Sequence, residues 1–271
     1  MTVIYELEDV CHAYLGRFPA LEDINIKIGE GERVALLGAN GCGKSTLLQI
    51  LDGLIFPETG EVRAFGTVLD ERVLNGGEFS RYFRRHVAML FQNPDVQLFN
   101  STVMDEIAFG PLQLDQPQEK TLEQVEDVLE MLEISHLRDR SPHTLSGGEK
   151  KKVALASMLA INPSVLLLDE PTNDLDPRTK SWLVDLLAEL SKANKTIITA
   201  THDLPLVSQI ATRVIVIGEN HQVVADGSSN EILGNKSLLL EANLIHEHIH
   251  SHKGVVHEHG HGHIAEHDHV H

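Results

Sequence analysis

The residues best placed to do chemistry fall in three short segments. The first runs Gly38, Ala39, Asn40, Gly41, Cys42, Gly43, Lys44 and Ser45, reads GANGCGKS, and continues into Thr46. Its glycines at 38, 41 and 43 let the backbone bend so that successive N–H groups point at the phosphates of a nucleotide. In such a loop the Lys44 ammonium bridges β- and γ-phosphates, the Ser45 hydroxyl goes to Mg²⁺, and Thr46 contacts the α-phosphate region at a helix start. The second segment, LLLDE (Leu166 to Glu170), sends two acids out from an apolar run. Asp169 fits a Mg²⁺-organising carboxylate and Glu170 a group that polarises an attacking water, because phosphoryl transfer mainly needs in-line positioning and charge stabilisation. The third, LSGGE (Leu145 to Glu149), lies just before it and offers Ser146, Gly147 and Gly148, where two adjacent glycines leave the backbone open to close approach. A glycine loop alone recurs in unrelated chains. All three in this order point to ATP with Mg²⁺.

The elements around these segments are in the order such chemistry needs. Val3 to Val10 and Leu21 to Ile28 partly alternate apolar with polar residues and are separated by Gly16 and Pro19, which predicts half-buried antiparallel strands framing a small β-subdomain. Arg33 to Gly38 is a short apolar strand feeding the glycine loop, and Lys44 to Leu54 continues as a helix. His86 to Gln92 reads as a further strand, and a helical region follows from about residue 94 to 162, with Thr121 to Ile134 spaced as an amphipathic helix. Ser164 to Glu170, Lys195 to Thr201 and Arg213 to Gly218 are compact apolar runs alternating with helices, the mark of a parallel sheet covered on both faces. The expected class is α/β, with a mostly parallel core sheet, an antiparallel β-subdomain and a helical subdomain.

Composition narrows the setting. Lys+Arg 22 against Asp+Glu 40 gives a formal charge of -18, which disfavours a nucleic-acid partner. Two cysteines, Cys11 and Cys42, are too few and too oddly placed for a disulfide framework, so a cytosolic site is expected. The start MTVIYELEDV lacks a basic flank and an apolar stretch, and apolar runs such as Val165 to Leu168 fall far short of the ~20 residues of a membrane span. Membrane association must then come through partners.

Together these segments resemble the ABC-type ATPases over about residues 2 to 233. The resemblance implies a P-loop ABC nucleotide-binding domain acting as a head-to-tail dimer, in which Ser146 to Gly148 of one subunit close over ATP held by the phosphate loop of the other. It adds roles that spacing alone does not supply. His202 is similar to the switch histidine that contacts the γ-phosphate. Gln92, before Asn93 and Pro94, is similar to the Q-loop glutamine that senses Mg²⁺ and the γ-phosphate. Tyr14 stands where an aromatic stacks on adenine, with Phe18 a nearby competitor. Asp176, in NDLDP (Asn173 to Pro177), keeps an inferred cross-interface role where the family has SGLDP. Glu149 and Lys152 stand where glutamine and arginine are frequent, and leave the glycines intact.

A finer resemblance lies in FQNPDVQLFNSTVMDEIAFGPLQL (Phe91 to Leu114), which looks like the Q-loop segment of energy-coupling-factor importers. That family implies a second ATPase subunit, here identical or not, a transmembrane scaffold protein and a membrane substrate-binding protein, with this chain on the cytoplasmic membrane face. From about Gly234 the composition shifts to a tail expected to be disordered. His246, His248, His250, His252, His257, His259, His261, His263, His267, His269 and His271 are 11 of the chain's 17 histidines. Imidazole suits Ni²⁺, Co²⁺, Zn²⁺ and Cu²⁺, and the importer family has a nickel and cobalt branch. A purification tag would be a homopolymer, whereas Glu, Gly and Val interrupt this run. A plainly solvated tail, a metal store with secondary ATPase activity, a vitamin importer whose ATPase carries a metal-buffering tail, and a soluble non-transport ABC ATPase are the rival readings. The last would carry tandem ATPase domains, a long coiled-coil insertion or basic patches.

Overall fold

The computed structural model describes residues 2–252 and 255–262, with side chains through Ile245. The chain opens with a hairpin, β1 (Val3–Tyr14) and β2 (Phe18–Gly29), then β3 (Arg33–Leu37) and α1 (Lys44–Leu51). Next come β4 (Thr59–Ala64), β5 (Thr67–Val68), α2 (Glu71–Leu74), α3 (Gly77–His86) and β6 (Val87–Leu90). The helical region holds α4 (Val103–Gln113), α5 (Gln118–Met131) and α6 (Gly147–Leu159), with short 3-10 turns between. The chain then alternates β7 (Val165–Asp169), α7 (Pro177–Lys192), β8 (Thr196–Thr201), α8 (Leu204–Ile210) and β9 (Arg213–Ile217). It closes with β10 (Val223–Ser228), α9 (Ser229–Gly234), α10 (Lys236–Glu241), β11 (Ile245–His252) and β12 (Val255–Gly262).

Among the described residues the central sheet has the order β10-β9-β3-β8-β7-β6, parallel except for the edge strand β10. Apart from the half-exposed edge strand β10, its strands are buried at nearly every position because both faces are covered. Alternate side chains go to opposite faces. Val34 and Leu36 of β3, with Val165 and Leu167 of β7, join α1 and the antiparallel sheet β2-β1-β4-β5. Ala35, Leu37, Leu166 and Leu168 join the core of α4, α5, α6 and α7 on the other face. Each fully buried leucine stabilises by about 1.5–3 kcal/mol, so the strand ends that carry the site are held rigidly.

The stretch from β4 to α3 is not anticipated in the sequence. Gly76 and Gly77 break the pattern, and α3 is short and rich in Arg, with Phe83 its single fully buried residue. β6 stops at Leu90, which leaves Gln92 in the following loop and not at a strand end as expected. Pro94 starts a 3-10 turn there, and Asn93 Oδ1 accepts from the Asp95 N–H at 2.9 Å. Leu239, Ala242 and Leu244 are buried in the core of the helical face, so the chain stays packed past residue 234. β11 pairs antiparallel with β12, in register His246↔His261, His248↔His259 and His250↔His257. The side chains of the tail histidines, and His263, His267, His269 and His271 altogether, lie outside the described residues.

Candidate nucleotide site

β3 delivers the chain to Gly38, where a Cβ would stand 2.5 Å from both Cys42 Sγ and the Ile217 carbonyl oxygen. At Gly43, φ is +112° and a Cβ would lie 2.0 Å from the Ala20 carbonyl oxygen. Only glycine fits such a backbone, and it turns the loop straight into α1, whose N-terminal N–H groups favour an anion. Lys44 Nζ donates to the Gly38 and Ala39 carbonyls at 2.8 and 3.0 Å. Cys42 is buried among core side chains, and that burial pushes its thiol up from the ordinary range. Its share in the site is its backbone.

The two acids end β7. Ser45 Oγ donates to Asp169 Oδ1 at 2.9 Å. Burial raises the Asp169 carboxyl above its usual range, opposed first by that hydrogen bond. A serine hydroxyl and a carboxylate side by side are the hard oxygen donors that suit Mg²⁺, so the residues present fit the ion. Glu170 adopts φ +42°, the left-handed region that a non-glycine residue rarely occupies. Its carboxylate is almost fully buried and doubly held: Thr201 Oγ1 donates to Oε2 at 3.1 Å, and His202 Nδ1 meets Oε1 at 2.7 Å. Adjacent strands β7 and β8 bring these residues together from positions 31 and 32 apart in sequence.

Around them lies a cleft of ≈ 430 Å³ lined by the phosphate loop, Gln92, Glu170, Asn173 and His202, with Tyr14 and Phe18 at one side. Tyr14 Oη sits 3.2 Å from Thr46 Oγ1 and donates to Gln49 Oε1 at 3.4 Å. Phe18 is the more exposed of the pair, 62% against 42%, so both aromatic faces stand at the cleft.

The remaining candidates are elsewhere. Ser146, Gly147, Gly148, Asp174 and Asp176 line a second cleft of ≈ 710 Å³. Ser146 caps α6 in a reciprocal box with Glu149, whose Oε2 accepts from the Ser146 N–H at 2.8 Å and from its hydroxyl at 2.7 Å. Those bonds hold the Glu149 carboxyl below its usual range. Asp176 caps α7, accepting from the Arg178 and Thr179 N–H groups. Lys152 Nζ rests 4.4 Å from the Trp182 ring centroid. The motif grouping missed Gln49 and the buried Lys151. For Lys151 a signal existed: three consecutive lysines open a helix whose remaining residues are mostly apolar and buried, which leaves little exposed face for all three.

The sequence profile described as "ABC transporter" matches residues 21–173. The nickel import ATP-binding protein NikO of Rhodobacter capsulatus is 48% identical, over 90% of this chain and 97% of its own length. The energy-coupling factor transporter ATP-binding protein EcfA of Methanothermobacter thermautotrophicus is 42% identical, over 88% of this chain and 75% of its own. Among solved structures, cbiO1 from Clostridium perfringens, part of the ABC transporter complex cbiONQ, superposes with a TM-score of 0.75 at 35% identity, covering 90% of this chain and 96% of that one.

Proposed function

This chain belongs to the ABC transporter family of transport-coupled ATPases, and from that premise we propose that it is the ATPase subunit of an energy-coupling-factor importer for nickel or cobalt ions. In this reading the Lys44 ammonium exchanges its loop carbonyls for β- and γ-phosphate oxygens. Glu170, fixed by Thr201 and His202, orients the attacking water. Tyr14 or Phe18 stacks on adenine. Ser45, Asp169 and Gln92 would hold Mg²⁺, which would supply charge neutralisation to the phosphates.

The second half of each site comes from another ATPase subunit, and a homodimer is the simplest arrangement. Gly147 and Gly148 support this, because a Cβ at either would meet nothing within 4 Å. Glycine in the first turn of a helix is unfavourable relative to alanine by up to ~1 kcal/mol, and the packing of this chain gives no reason for it. A ligand approaching from outside does. Ser146 to Gly148 and Asp176 then belong to the partner's nucleotide.

The observation that carries the cargo is the likeness to NikO over nine-tenths of the chain, supported by the pattern Phe91 to Leu114 and by the histidine tail. Among the described residues no helix is long and apolar enough to cross a membrane; in this reading the chain works at the cytoplasmic face through a scaffold protein and a substrate-binding protein, as the likeness to energy-coupling-factor importers implies. In this reading the tail histidines are ligands for transition-metal ions, to which imidazole is suited. A vitamin importer whose ATPase carries a metal-buffering tail is the second reading, since the pattern Phe91 to Leu114 marks the importer class and not its cargo. Cells expressing this chain with its membrane partners are given labelled nickel and cobalt, and Glu170→Gln is the control. Uptake of one ion that the variant loses supports the reading. An assembled complex that hydrolyses ATP and takes up neither ion transfers it to the vitamin class.

A further inference from the structure

Lys151 is a buried cation that none of these roles uses. It is 2% exposed, the middle of Lys150, Lys151 and Lys152 in the first turns of α6. Helical spacing sets it on the face of Ala154 and Leu155, both fully buried. Its Nζ donates to the carbonyl oxygen of Gln92 at 2.7 Å. Burial lowers its proton affinity, and the carboxylates of Asp174, Asp169 and Glu170 oppose that in this order. Beside it Lys150 Nζ bonds Asp95 Oδ1 at 2.6 Å, on the 3-10 turn after Gln92. One ammonium thus bonds the Gln92 loop and feels the charge of the acids that end β7 and of the loop before α7. The helix that carries it presents Ser146 to Gly148 to the second cleft. An ammonium held by a carbonyl and not by an ion pair is costly to bury, and filling this space needs only an apolar chain of similar length.

We propose that Lys151 is a positioning residue for ATP hydrolysis: it ties the Gln92 loop to the signature end of α6, so that the two half-sites carried by one chain move as a unit. The inference rests on the roles given above to Gln92 and Glu170, and is indifferent to the cargo. It places the effect in turnover and not in nucleotide affinity.

The test is ATPase kinetics on the full-length chain assembled with its membrane partners, for Lys151→Met, Gln92→Ala and the double variant. Lys151→Met is expected to lower kcat about tenfold or more, as loss of positioning does, while KM for ATP stays within about twofold. In the Gln92→Ala background the same change is expected to cost less than about twofold, because residues that act through one another are not additive. Lys151→Arg, which keeps the charge and the donor, is expected to recover part of the loss. Unchanged kcat, a KM that rises in step with the loss, or full additivity overturns the proposal. Should Lys151→Met fail to fold, Lys151→Gln takes its place in both backgrounds, with the same losses expected and the same results overturning the proposal. Gln92→Ala alone separates the two layers: normal turnover there removes the role of Gln92 and the proposal with it, whereas a slow Gln92→Ala beside a normal Lys151→Met removes only the proposal.

Discussion

The two clefts use glycine and a helix N-terminus for different ends. In the phosphate-loop cleft the glycines are demanded by the chain itself: Gly43 has a left-handed φ and its missing Cβ clears Ala20 by necessity. In the signature cleft Gly147 and Gly148 stand in open space, and the local helix is already well capped by Ser146 and Glu149. The first cleft is assembled by the fold from strands β1, β3, β7 and β8. The second is assembled from the turn after α5, the start of α6 and the start of α7. A glycine explained by its own chain is part of the scaffold, and a glycine without such an explanation points outward to something that must come close.

The sharpest way to break this contrast is complementation. Lys44→Ala disables the phosphate loop, and Gly148→Asp sets a carboxylate where the second cleft would face phosphate; each variant alone is expected to lose ATPase activity by about 10²–10⁴-fold, the range for losing an essential group. Mixed subunits keep one intact composite site, so activity should return on mixing. Two dead variants that stay dead when mixed, while still forming dimers, would mean that each chain holds a complete site.

Alanine at the two kinds of glycine should give opposite stabilities. Gly43→Ala is expected to lose more than about 1 kcal/mol, since a Cβ meets backbone where φ already excludes it. Gly148→Ala should keep or gain up to about 1 kcal/mol while turnover falls, and urea melts of both variants decide it. Equal losses at the two positions would erase the distinction.

A smaller effect is confined to the phosphate-loop half. Asp52, at the end of α1, is buried with the Arg84 guanidinium 3.8 Å from its carboxylate, and desolvation raises its pKa to about 7. The folded chain therefore holds a proton that the unfolded chain has already released above about pH 4. Stability from this group falls as pH rises from about 4 to about 7, by at most ~1.4 kcal/mol per pH unit, and levels off above. Asp52→Asn is expected to flatten that slope, and denaturant melts between pH 5 and 8 would expose parallel profiles if the idea is wrong. Smallest of all, Glu149→Gln preserves the capping geometry and should change stability by less than about 1 kcal/mol, with turnover retained; a large loss of turnover would give Glu149 a role beyond the cap.

The helical segments and the parallel strands are legible in the sequence because their burial is periodic or continuous. β7, with five buried residues in a row, leaves little else to conclude. α3 escapes because it is short, entered through two glycines and rich in Arg, with Phe83 and Phe79 its core contacts, and the place of Gln92 beyond its strand depends on where Pro94 stops the extended chain. Phosphate chemistry was written locally, in residues a few positions apart whose types permit little else. What the sequence could not state is which of those residues meet. The pairing of β7 with β8 brings Thr201 and His202 onto Glu170, the loop between β7 and α7 divides Asn173 from Asp174 and Asp176 across two clefts, and the inward turn of α6 sets Lys151 under Gln92. Residue type and spacing fix what a group can do. Contact between distant segments is decided by burial of the two sheet faces, which only the closed structure satisfies for all of them at once.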